Sequence, residues 1–155
     1  MTTELQDGDI VLVYARWPLS LIMRYQHAAL LWSHMGRLYT VEAGPLSGVK
    51  TWRLGHWPMP FDVYRPVGAN ELAGQFAAGC ALKRLGEGYG WMDVLRALWQ
   101  RWAKPLQAMK VICSDLVVQS WCEVGVFITS QSHPLPDDIW RGQVELVGSY
   151  EGGVK

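Results

Sequence analysis

The chain has 155 residues, half of them hydrophobic, with 14 basic and 14 acidic side chains and no formal net charge. That length suits one domain, 1–155, around one core, and charge spread without blocks leaves no electrostatic footprint for nucleic acid. Three cysteines without CxxC spacing argue against a disulfide framework or a zinc site.

Ile10 to Tyr14 reads as a near-continuous apolar strand, and Trp17-Pro18 to Tyr25 as a short helical or irregular link whose Leu19, Ile22 and Met23 cover the core. His27 to Trp32 and Arg37 to Ala43 are strand-like runs joined by Ser33-His34-Met35-Gly36, a hairpin. Residues 44–60, rich in Gly and Pro, read as a loop-rich crossing before the alternating strand Phe61 to Arg65. Asn70 caps a helix carrying Leu72, Ala73, Phe76, Ala77, Cys80, Ala81 and Leu85 that stops at Gly86. Trp91, Val94, Leu95, Leu98 and Trp102 mark another helix, ended by Pro105. A helix opening at Cys113 follows, with Leu116, Val117, Ser120, Trp121 and Val124 at helical spacing. After a turn-rich segment, Gln143 to Val147 closes the chain as a strand. The order predicts an α+β domain.

Cys113 carries the chemistry in this pattern. At a helix mouth, unpaired N–H groups and the positive end of the dipole stabilise a thiolate, and the Cys113 N–H is placed to receive an oxyanion. A hairpin loop centred between His34 and Met35 sets Trp32 opposite Arg37 and His27 opposite Glu42, on one face. A carboxylate beside an imidazole fixes one ring nitrogen as N–H and frees the other to take a thiol proton. A slip of one residue would dissolve the pair. Cys80 and Cys122, inside helical patterns, read as packing residues, and Asp115 as a complement to the helix dipole. His34, His56 and His133 read as solvent-exposed or local-structure histidines, because no carboxylate or cysteine shares a ligand spacing with them.

Gly8 to Val13, Tyr25 to Leu30, Tyr39 to Ala43, Val63 to Pro66, Cys113 to Val117 and Leu135 to Ile139 follow one another in an order that resembles the circularly permuted branch of the NlpC peptidase superfamily. This is the YaeF/YiiX group, related to lecithin:retinol acyltransferase, and the resemblance spans about residues 8–147. It implies a permuted papain-like fold, an antiparallel sheet packed against helices with the nucleophile at a helix N-terminus. It also implies Cys113 as nucleophile, His27 as base and Glu42 as the residue orienting His27. Tyr89 stands where NlpC-like enzymes carry a tyrosine facing the site, and either supports substrate or oxyanion or covers a helix junction. Ser114, flanking the nucleophile, is a second substrate-binding candidate.

These residues predict a cysteine hydrolase that cleaves an amide through a thioester, without cofactor or metal. The resemblance implies short peptides or peptidoglycan fragments as substrates. Acyl transfer from a lipid ester through the same triad is the alternative, and a fold that has lost its chemistry is the non-enzymatic one. The stripe of Trp91, Val94, Leu95, Leu98, Trp99 and Trp102 beside Arg96, Arg101 and Lys104 suits a core helix, and also contact with a membrane surface. The acidic start, Met1 to Asp7, lacks the basic and apolar regions of a secretory signal, and no apolar run reaches the length of a membrane span. A cytoplasmic protein with no transmembrane segment is the expectation.

Overall fold

Six antiparallel strands form one sheet in the order β4-β3-β2-β1-β5-β6. They are β1 (Ile10–Tyr14), β2 (Tyr25–His34), β3 (Arg37–Gly44), β4 (Gly48–Arg53), β5 (Phe61–Pro66) and β6 (Val144–Tyr150). Among the described residues three α-helices accompany them: α1 (Glu71–Lys83), α2 (Pro105–Glu123) and α3 (Pro136–Trp140). The computed structural model describes residues 4–44, 47–87, 105–131 and 134–153, with 105–112 described by their backbone alone. The expected helix around Trp91 to Trp102, the tyrosine at 89 and the histidine at 133 lie outside the described residues.

Alternation along the central strands divides the interior in two. Ile10, Leu12, Ala28, Leu30, Val41 and Tyr64 pack with Cys113, Leu116, Val117 and Trp121 of α2 and Ala77 and Ala81 of α1. Val11, Val13, Ala29, Leu31, Phe61 and Val63 form a smaller core on the opposite face, covered by Trp57. Removing these side chains from water at about 25 cal/mol per Å² is the main force holding helices to sheet. Trp121 is fully buried, and its indole N–H donates to the Gly8 carbonyl at 3.1 Å, which ties α2 to the entry of β1.

The Asn70 cap is present, its side chain accepting from the Ala73 amide at 2.8 Å. The face of α1 that meets the sheet is made of small residues, Gly74, Ala77, Ala78 and Ala81, while Leu72 and Phe76 are exposed. Close approach is the reason: a Cβ on Gly74 would stand 2.0 Å from the Asp7 carbonyl oxygen.

Several expectations are corrected. Met35 (φ 49°) and Gly36 (φ 73°) alone make the β2–β3 turn, the two-residue form with both φ positive, so His34 pairs with Arg37 and the register moves by two. Residues 48–53, expected as loop, form β4 along β3. The helix that carries Cys113, expected to open at that residue, starts at Pro105, a position where proline's missing N–H costs nothing. Ile22 is 75% exposed, and Leu19 and Met23 are only half-buried, so the link before β2 does not roof the core. The closing strand starts at Val144 and runs to Tyr150.

Candidate active site

The β2–β3 ladder ends at Leu30 with Val41. Past that point β2 stays with β1 as far as Tyr25, and β3 stays with β4 as far as Gly44. The two central strands therefore part at the start of β2 and the end of β3, where His27 and Glu42 lie. The Leu31 amide donates to Asp9 on the β1 side, so by alternation the Ala28 N–H faces the gap. The Cys113 sulfur accepts that N–H, together with the N–H of Ser114.

His27 and Glu42 share the parity of Ala29 and Leu31, on the Trp57 side of the sheet, whereas Cys113 packs among Ala28 and Leu30 under α2. The parted strands let thiol and imidazole meet. Glu42 Oε2 takes His27 Nε2, which leaves Nδ1 for the hydrogen bond between His27 and Cys113. Because the register moved by two, an even step, both residues kept their face and meet diagonally instead of directly across the ladder.

Burial opposes charge on His27, yet the facing Cys113, its hydrogen bond and the Glu42 carboxylate outweigh that and push the imidazole up to about 10. Burial also pushes the Cys113 thiol up, but the His27 charge, its hydrogen bond and the two backbone N–H groups win, and the thiol sits below its ordinary value. Each shift has the other partner as its largest favourable cause. Both shifts favour the charged form of their group, with Cys113 3% exposed and the His27 side chain 23% exposed.

The helix-mouth account of Cys113 is overturned. Cys113 lies more than two turns past Pro105, where an amide ordinarily bonds the carbonyl four residues back. Neither the dipole nor the Cys113 N–H is therefore the thiolate's support, and Asp115 does not complement a helix start. Ser114 is corrected too: its buried hydroxyl donates to the Pro134 carbonyl at 2.6 Å, so it holds α2 in place and faces no substrate.

Three contributions escaped the sequence. Asp137 of α3 accepts the amides of Tyr25, at 2.9 Å, and Arg24, at 3.2 Å, fixing the start of β2 two residues before His27. With the Pro134 carbonyl holding Ser114, the stretch from Pro134 to Asp137 holds both the helix of Cys113 and the strand of His27. The third is His56, whose Nε2 stands 3.1 Å from Glu42 Oε1. The contact is close in distance but not aligned as a hydrogen bond, and Oε1 is otherwise buried without a protein hydrogen bond. A histidine followed by Trp57 in a Gly- and Pro-rich loop was the only signal available.

Among the described residues no three His, Cys, Asp or Glu side chains converge as metal donors. A cavity of about 770 Å³ between Phe127–Gln131 and Asp138–Gln143 includes none of Cys113, His27 or Glu42, so donor geometry and not cavity size marks the site.

A scan of protein-family models and a search of curated proteins find no match to the chain. Among solved structures, the metalloprotein YiiX from Escherichia coli O157:H7, of family DUF1105, superposes with a TM-score of 0.67 over 96% of this chain and 98% of its own, at 19% identity. The chain has the α+β fold of YiiX: a six-stranded antiparallel sheet with a few helices against it.

Proposed function

We propose that the protein is a cysteine hydrolase of permuted papain-like architecture, acting on amide bonds through Cys113, His27 and Glu42. The observation that carries this reading is the continuous contact from Cys113 through His27 to Glu42, drawn from α2, β2 and β3. The Cys113 thiolate attacks the carbonyl carbon. The tetrahedral oxyanion takes the Ala28 N–H, released from sulfur as the negative charge passes to oxygen. His27 gives its proton to the leaving amine, the C–N bond breaks, and a thioester remains on Cys113. Water attacks the thioester, His27 removes its proton, and the free acid and the thiolate–imidazolium pair are regenerated. Glu42 keeps the imidazole aimed throughout.

YiiX is described as a metalloprotein, but the donors here do not fit a metal. Nε2 of His27 and Nε2 of His56 are both turned to the oxygens of Glu42 instead of to a shared point. No step passes through a metal.

A second reading, acyl transfer from a lipid ester through the same thioester, is favoured by one feature. Trp17, Leu21 and Ile22, 79%, 75% and 75% exposed, stand on the link that leads into the His27 strand. Such a tip suits a lipid surface. Among the described residues no helix is long and apolar enough to cross a membrane.

Incubation with peptide-amide and acyl-ester probes, followed by mass spectrometry of the intact chain, tests both. An acyl adduct on Cys113 from the peptide supports the amidase, and one from the ester alone supports the transferase. No adduct from either, with Cys113 inert to iodoacetamide at neutral pH, ends the enzymatic reading.

A further inference from the structure

We infer that His56 is a fourth, positioning member of this site: it fixes the orientation of the Glu42 carboxylate from the side opposite His27. The inference rests on the Cys113, His27, Glu42 reading above and adds a residue to it. Glu42 is nearly buried, and its two oxygens are divided between two imidazoles, Oε2 to His27 and Oε1 to His56. Buried carboxylate oxygens need a partner, and Oε1 has no aligned hydrogen bond from protein, so the His56 ring edge 3.1 Å away is the polar group that limits its rotation.

His56 is itself held. Its Nδ1 lies 3.2 Å from the Arg53 carbonyl, which accepts that N–H. Its ring stacks on Trp52 with centroids 5.1 Å apart at 15° and meets Trp57 at 4.3 Å. Trp57 in turn meets the His27 ring edge to face at 6.1 Å, so one indole spaces both imidazoles around the carboxylate. An imidazole fixed by a carbonyl and two indoles is a rigid stop for a carboxylate, and rigidity at this distance from the nucleophile is what positions a catalytic pair.

The titratable groups facing Glu42 are His27 from β2, His56 from the β4–β5 loop and Lys50, directly opposite in the β3–β4 register and exposed. Val13 of β1, paired with His27, is apolar. Positioning and a bare field effect then differ in sign. If His56 positions Glu42, its loss lets the carboxylate turn from His27, weakens the imidazolium and makes the Cys113 thiolate harder to form. If His56 acts only as a nearby cation, its loss favours the imidazolium and makes the thiolate easier to form.

The experiment is the pH profile of Cys113 alkylation by iodoacetamide in the intact wild-type chain and in His56→Leu, His56→Gln, Glu42→Gln and the His56→Leu/Glu42→Gln double variant. His56→Leu is expected to move the midpoint upward and slow alkylation at neutral pH about tenfold. His56→Gln, whose side-chain amide places a polar group of similar reach beside Oε1, recovers most of that, and the double variant shows no shift beyond Glu42→Gln. Thermal unfolding of each variant identifies any loss that is only a loss of fold. A His56→Leu midpoint that is unchanged or moves down, while Glu42→Gln moves up, overturns the role of His56 and leaves the triad standing. A wild-type profile with an ordinary thiol midpoint overturns the triad and His56 with it.

Discussion

The sheet buries two carboxylates near the same end, Glu42 on β3 and Asp62 on β5, and their partners could hardly differ more. Glu42 faces the titratable rings of two histidines, His27 and His56. Asp62 Oδ2 accepts from the Tyr14 hydroxyl at 2.9 Å, from Tyr25 and from Arg24 at 3.4 Å, and Tyr25 bonds on to Tyr64 at 2.9 Å. Burial and the Asp62 bond drive Tyr25 upward, burial raises Tyr64, and the Tyr14 hydrogen bond raises Arg24. The protons of Tyr25, Tyr64 and Arg24 are thus held more tightly than usual, further from neutrality. Arg24 is fixed further by the rings of Tyr14, Tyr25 and Trp140, each between 5.2 and 5.5 Å away. The difference teaches that burial alone does not set a carboxylate's task; what it touches decides whether the group orients a titratable ring or stiffens a fold.

The sharpest way to break this contrast is Cys113→Ala. Loss of the nucleophile is expected to abolish the acyl adduct and cut amide turnover by roughly 10³-fold or more. It also removes the largest support for His27 charge while leaving the burial that opposes it. His27 titration, followed by NMR, should fall from about 10 in the wild type toward the ordinary histidine range. The linkage has a definite sign. A raised imidazole contributes stability that is fully present below its unfolded value of 6.5 and lost as pH rises through about 10. The alanine variant loses this contribution at lower pH, so the contrast appears as a different alkaline limb of the two pH–stability curves. A His27 midpoint unmoved by the substitution would show that no ion pair exists.

The paired substitutions Glu42→Gln and Asp62→Asn separate the two carboxylates directly. Glu42→Gln is expected to slow Cys113 alkylation at neutral pH by about 10²-fold, the scale typical of an outer-shell partner, with a small change in unfolding temperature. Asp62→Asn exchanges a charged acceptor of three donors for a neutral one and should cost about 2–3 kcal/mol in denaturant unfolding. Alkylation of Cys113 should stay within about twofold there. If Asp62→Asn slowed alkylation as much as Glu42→Gln, the division between orienting group and brace would collapse.

The same contrast explains what could be read from the letters. His27, Glu42 and Cys113 were legible because each sits in a periodic element, and parity places a side chain even when register is wrong by an even number. Asp62 looked like one alternating residue of a strand. Nothing local announced the tyrosines, since they converge from β1, β2 and β5 only after the sheet forms. His56 and Asp137 were missed for a related reason: each acts from a connection between elements, and sequence spacing does not predict where such a connection folds back. The helix-mouth reading of Cys113 fails because the apolar spacing starts at Leu116 and does not mark the turns that precede it. Proline is a favoured first residue of a helix, and Pro105 opens the one that carries Cys113.

The smallest effect tests the hairpin that sets this register. Met35 adopts φ 49° at the first turn position, a left-handed conformation that costs a side chain of its kind roughly 1–2 kcal/mol, and its side chain is 89% exposed with little packing to offset that. Met35→Asn keeps an exposed side chain and tolerates the left-handed region. It should therefore raise stability by about 0.5–1 kcal/mol in denaturant unfolding, with no change in Cys113 alkylation. The turn is remote from Glu42 along β3, so a gain in stability without a change in chemistry is the signature of a two-residue turn already holding its register. A four-residue loop would leave Met35 unstrained and the substitution neutral. It would also set His27 directly across from Glu42, so an unchanged stability would reopen the pairing that the turn now decides.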